Sequence, residues 1–156
     1  MSSLYLQLPA AGLTGSSDFA YVLSTDGHTP GVAGTVAAPL LPPATGAGAQ
    51  VVAIVPVGML SWHRFDWPKG VTAGSPRLRA AIGGLLEDEL LDDPEAMHFA
   101  LEPQARAGEP AWVAACDRAW LRSALQTLDD AGRHVTRIVP EFAPQAPPAL
   151  HAIGEG

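Results

Sequence analysis

The sequence predicts a mixed α/β fold, a mixed sheet with flanking helices, and three observations carry that expectation. Strand-like segments fill the chain before Ser75, and the order helix, strand, strand, helix, strand follows. Val51 to Val55 is an unbroken apolar run, as in a strand covered on both faces. Two segments opening at Ser75-Pro76 and at Asp117 repeat apolar residues at helical spacing behind a capping residue.

Leu4 to Leu8 alternates weakly and reads as a short strand stopped by Pro9. Phe19 to Ser24 is a second strand, and Thr25-Asp26-Gly27 is a strong turn signal joining it to a hairpin partner over Gly31 to Ala37. Pro39 to Gly48, with three prolines and no periodicity, is expected to be a loop. After the Val51 to Val55 strand, Trp62 to Trp67 alternates aromatic and polar residues, as in a strand exposed on one face.

In the first helix Ser75 suits the N-cap and Pro76 the first helical position. Leu78, Ala81, Ile82, Leu85, Leu86, Glu89 and Leu90 form its stripe, and Pro94 ends the segment. Gly83-Gly84 costs roughly 1 kcal/mol per residue against alanine, which points to a close neighbour or a bend. Met97 to Leu101 and Ala111 to Cys116 are strands joined by a Gly/Pro loop. Asp117 caps a second helix whose buried stripe is Trp120, Leu121, Ala124, Leu125 and Leu128, and Gly132 ends it. Val135 to Val139 is the last strand. The unit from Trp112 to Val139 has the length of a right-handed crossover between parallel strands. The organisation is one domain over 1–142 followed by a Pro-rich tail over 143–156.

Composition narrows the function classes. A net charge of −7 disfavours nucleic acid, which needs concentrated Lys and Arg, and favours a basic protein partner. The single cysteine, Cys116, excludes an internal disulfide and reads as a buried strand thiol with no basic neighbour to activate it. The N-terminus lacks signal-peptide architecture, and no stretch reaches the ~18–20 apolar residues of a membrane span.

The chemical motifs point away from catalysis. Asp26-Gly27 lies where a hairpin could hold phosphate and magnesium, but Asp-Gly between strands is foremost a turn. A second phosphate loop near Asp117 would need Asp-x-Gly, whereas Arg118-Ala119 follow it. His28, His63, His98, His134 and His151 have no metal-ligand spacing, so no metal is expected. His63 and Asp66 fall on opposite strand faces, and His98 is expected to face solvent or a partner. No nucleophile elbow occurs, so no catalytic residue is assigned. The four tryptophans read as core or interface aromatics.

The richest feature is the acidic run Glu87, Asp88, Glu89, Asp92, Asp93 and Glu95, six of sixteen acids within nine positions. These charges sit near a helix C-terminus, where the macrodipole disfavours each by ~0.3–1 kcal/mol. A feature that weakens its own helix is either a solvated face or a docking surface for a cationic partner.

The stretch LLEDELLDDPEAMHFAL, Leu85 to Leu101, closely resembles a signature of the type II secretion system protein L (GspL) family: a helix ending in Leu-Glu-Asp, acids, then a Leu-His-Phe-Ala-like strand. The block from Trp112 to Glu141 is similar to that family's strand, Asp-Arg, helix, Ala-Gly, strand, Val-Pro-Asp/Glu order, so the likeness covers Val51 to Glu141. Gly83-Gly84 departs from the larger residues expected there. The resemblance implies an actin-like or ribonuclease-H-like subdomain on the cytoplasmic face of the bacterial inner membrane, truncated before further cytoplasmic sequence and a membrane anchor. It implies a non-enzymatic scaffold without cofactor that recruits the secretion ATPase, protein E, through the ATPase's N-terminal domain. Protein M and protein F are the further partners implied in the full assembly, with a homodimer left open. Glu87, Asp88, Glu89, Asp92 and Asp93 are the residues assigned to partner binding. The alternative function is an actin-like ATPase using Asp26-Gly27.

Overall fold

The computed structural model describes residues 2–10, 18–26, 29–72, 74–90, 93–101 and 105–141. Strands β1 (Ser3–Gln7), β2 (Asp18–Ser24) and β3 (Ala33–Ala37) form an antiparallel meander. Strand β4 (Gln50–Val55) runs parallel to β1, and β8 (Arg137–Pro140) parallel to β4. The first sheet therefore has the order β3-β2-β1-β4-β8. A second sheet of order β5-β7-β6 is antiparallel throughout, with β5 (Ser61–Asp66), β6 (Met97–Leu101) and β7 (Pro110–Asp117). Helix α1 (Pro76–Leu86) connects β5 towards β6, and α2 (Arg118–Asp130) follows β7 directly.

This is the mixed α/β architecture expected, with one correction of topology. The segment Trp112 to Val139 does not cross between two strands of one sheet, because β7 lies in the second sheet and β8 in the first. The parallel neighbours are β4 and β8, and the whole second sheet with α1 is inserted between them. Strand pairing between distant segments leaves no local trace in a sequence, so adjacency along the chain was a misleading guide.

Period-two burial builds the first core. Leu4, Leu6 and Leu8 are at most 1% exposed and line one face of β1 with Phe19 of β2. Val51, Ala53 and Val55 continue that face on β4, and Leu121, Ala124 and Leu128 of α2 cover it. Each fully buried Leu or Phe contributes about 1.5–3 kcal/mol relative to exposure. The segment expected to be a loop, Pro39 to Gly48, begins with a 3-10 turn over Ala38–Leu40 and buries Leu41. The Arg133 guanidinium fixes it by donating from Nε and Nη2 to the Leu41 carbonyl.

The second core packs Leu78, Ile82 and Leu86 of α1 on Phe65, Trp67, Val71, Ala111 and Val113. Trp67 Nε1 donates to the Val71 carbonyl at 2.8 Å, so its burial leaves no orphan donor. Both expected caps are present: Ser75 Oγ accepts from Leu78 N at 3.2 Å and Asp117 Oδ1 from Trp120 N at 2.8 Å. Gly132, at φ +76°, ends α2 while Arg133 N returns to the Leu128 carbonyl.

Two expectations for α1 need correcting. The helix stops at Leu86 rather than running to Pro94, so Glu89 and Leu90 lie beyond it. Its last turn has no basic residue and enters three consecutive acids, which is the wrong charge for that end of the dipole. The Leu86 carbonyl accepts from both Glu89 N and Leu90 N, and Leu90 packs against the second core. Leu85, assigned to the stripe, is 54% exposed. Last, β8 begins two residues later than the expected Val135.

Candidate partner-binding surfaces

The acidic residues form the turn that leaves α1. Glu87, Asp88, Glu89 and Asp93 are all exposed; Asp92 lies outside the described residues. Two of the four have local work. Glu89 Oε2 is 3.0 Å from His63 Nδ1, and His63 Nε2 is 2.9 Å from Ser61 Oγ, which ties the turn to β5. Asp93 Oδ1 accepts from Glu95 N at 3.0 Å and caps a 3-10 turn over Pro94–Ala96. The side chains of Glu87 and Asp88 have no hydrogen bond or ion pair among the described residues. Their charge is therefore presented outward, not spent on the fold.

Glu87, Asp93 and Glu95 rim a groove of about 420 Å³ whose wall is the Gly83-Gly84 face of α1. A Cβ on Gly83 would stand 3.4 Å from Pro94 Cβ, an ordinary contact, and one on Gly84 would meet nothing within 4 Å. The glycines thus make an open surface; the bend or close approach expected from them holds only weakly, at Gly83.

The residues weighed for nucleotide binding serve the backbone instead. Asp26 Oδ1 accepts from Thr29 N at 2.7 Å and from Ser24 Oγ at 3.0 Å, an Asx-type turn. Gly27 and His28 fall outside the described residues. Asp117 is occupied as the cap of α2. Cys116 is buried as expected, and burial, followed by the neighbouring Asp117 charge, pushes its thiol up from 9.0 to about 11, the opposite of a reactive thiolate.

Sequence reasoning missed a basic cleft of about 770 Å³. Arg79 from α1, Arg118 and Arg122 from α2, and Arg137 from β8 converge on it. Arg79 Nη2 and Arg118 Nη2 both donate to the Met97 carbonyl, at 2.8 and 3.1 Å, pinning the start of β6. Arg79 also lies 5.3 Å over the Phe99 ring. His98, exposed on β6, lines the cleft, in keeping with the expectation that it faces solvent or a partner. These arginines are scattered along the chain, and only the docking of the two sheets brings them together. No helix among the described residues is long and apolar enough to cross a membrane.

The family model for protein L of the type II secretion system matches residues 35–145. The type II secretion system protein L of Vibrio cholerae serotype O1 is 39% identical over 92 residues, which cover 59% of this chain and 21% of that protein. The chain is also similar to the solved cytoplasmic domain of EpsL, an inner membrane component of the type II secretion system of Vibrio cholerae. That match has a TM-score of 0.64 at 25% identity over 90% of this chain and 57% of the other. A PilM-PilN type IV pilus biogenesis complex matches more distantly, with a TM-score of 0.45 at 17% identity over 90% of this chain and 46% of the other. The match therefore spans about a fifth of the length of the curated relative.

Proposed function

This chain belongs to the type II secretion system protein L family, and on that premise we propose that it is a non-enzymatic adaptor recruiting the cytoplasmic secretion ATPase, protein E, to the inner-membrane platform. The observation that carries the reading is the outward, unpaired charge of Glu87 and Asp88 on a turn that Glu89 and Asp93 hold in place. Such a face steers a cationic surface of the ATPase's N-terminal domain and acts on association rate more than on final affinity. Protein M and protein F complete the set of partners in the assembled platform. The occupation of Asp26 and Asp117 in turn and cap geometry weighs against the ATPase alternative.

The test is binding of the ATPase's N-terminal domain to the chain carrying Glu87→Lys and Asp88→Lys. Neither residue has a partner to lose, so the fold is left intact. The association rate should fall by about tenfold at low salt, and the difference should shrink as ionic strength rises. Equal rates for the two proteins at every salt concentration would remove the acidic turn from the interface.

A further inference from the structure

We propose that the basic cleft between the two sheets is a docking site for an extended peptide segment of a partner protein, acidic at one end and apolar at the other. The chain has nine Lys and Arg residues against sixteen acids, yet four of the nine line this one cleft. Arg79 and Arg118 are held by the Met97 carbonyl. Arg122 and Arg137 are exposed, and their side chains have no hydrogen bond or ion pair among the described residues. The carboxylate in the lining, Asp129, is engaged by His134 Nδ1. The cleft therefore presents two unpaired guanidinium groups, the donors best suited to carboxylates.

Its walls select an extended backbone. Strand β8 is the edge of the first sheet and β6 an edge of the second, so each offers a row of main-chain groups with no sheet partner among the described residues. His98 of β6 and Ile138 of β8 line both the basic cleft and an adjoining pocket of about 170 Å³. That pocket is bounded by apolar Val55, Leu60, Ala114 and Val139, and Ile138 at its mouth is 44% exposed. A strand added along β8 would gain main-chain hydrogen bonds, place carboxylates at Arg122 and Arg137, and bury apolar side chains past Ile138. The inference does not rest on the acidic turn, which carries the opposite charge.

The experiment measures fluorescence anisotropy of two labelled probes, the peptide Asp-Glu-Asp-Glu-Val-Thr-Leu-Val and its reversed sequence, against the wild-type chain and an Arg122→Glu/Arg137→Glu variant. Both substitutions are at exposed positions, and circular dichroism checks that the variant is folded. At least one peptide should bind the wild type, and the variant should lose about tenfold or more in affinity. Equal binding by variant and wild type, or no binding of either peptide to the wild type, overturns the proposal. Full displacement of the peptide by millimolar inorganic phosphate would reduce the cleft to a simple anion site. Self-association in sedimentation velocity that the variant abolishes would make a second copy the occupant; tighter binding to anionic lipid vesicles would make it a membrane. Each of these three also overturns the peptide assignment.

Discussion

The two sheets use their residues differently. In the first, β1 and β4 each bury three or more side chains, and α2 seals one face. In the second, β5 buries only Phe65 and β6 only Met97, and much of β7 is alanine. The first sheet is the deeply packed scaffold. The second is a thin plate whose margins carry the acidic turn, the glycine groove and one wall of the basic cleft. Strand β7 belongs to both, with Ala111 and Val113 in the second core and Cys116 in the first. Surface chemistry thus collects where core packing makes few demands, and one strand joins that plate to the first core.

The strongest way to break this contrast is to open one cavity on each side. Phe19→Ala, in a site with no exposure, should cost about 3–5 kcal/mol and unfold the whole chain earlier in urea. Leu86→Ala should cost about 2–4 kcal/mol, with hydrogen exchange rising in α1 and the second sheet while β1 and β4 stay protected. Uniform exchange in both variants would mean that the sheets form a single cooperative unit.

A milder change probes the joint. Asp117→Ala removes the cap of α2 and should cost about 1 kcal/mol, whereas Asp117→Asn should cost only a few tenths because asparagine also caps. Thermal melts of the pair separate the cap from the charge. The opposite sign is expected at the glycine groove. Gly84→Ala adds helix propensity and meets nothing within 4 Å, so it should stabilise by about 0.5–1 kcal/mol. A destabilised Gly84→Ala chain would show that this face is not open.

The last effect shows only at alkaline pH. The Cys116 thiol keeps its proton in the fold up to about 11, while the unfolded chain releases it near 9.0. The unfolded state binds fewer protons in that window, so this contribution to stability is complete below pH 9.0 and is lost as pH rises through about 11. Urea titrations from neutral to alkaline pH should show a decline that is shallower in Cys116→Ala. Asp117→Asn should make the decline smaller and end it at lower pH, because it removes the second cause of the shift.

Local physics was readable in the sequence, and assembly was not. Ser75, Asp117 and Gly132 announce their caps by residue type alone, and Val51 to Val55 announces a central strand by the absence of polar residues. The acidic turn was legible because its charges are contiguous. Its tether was not, since the His63 to Glu89 contact joins β5 to a turn 26 positions later. The same limit hid the basic cleft, whose arginines come from α1, α2 and β8. It also hid the pairing of β8, whose partner β4 lies on the far side of the inserted sheet. Leu85 fitted helical spacing but lies outside the arc that the second core covers.

That inserted sheet sets an order of events during synthesis. Strand β4 emerges from the ribosome with β1 available on one side and nothing on the other until residues 137–140 arrive. For that interval an uncharged Val-Val-Ala-Ile-Val segment has an open edge, which is the kind of strand that recruits other copies. The second sheet, whose strands all lie between Ser61 and Asp117, can form meanwhile from shorter-range contacts. Four residues, Arg137 to Pro140, then act as a latch, and nascent chains that stop short of them should be the ones that aggregate.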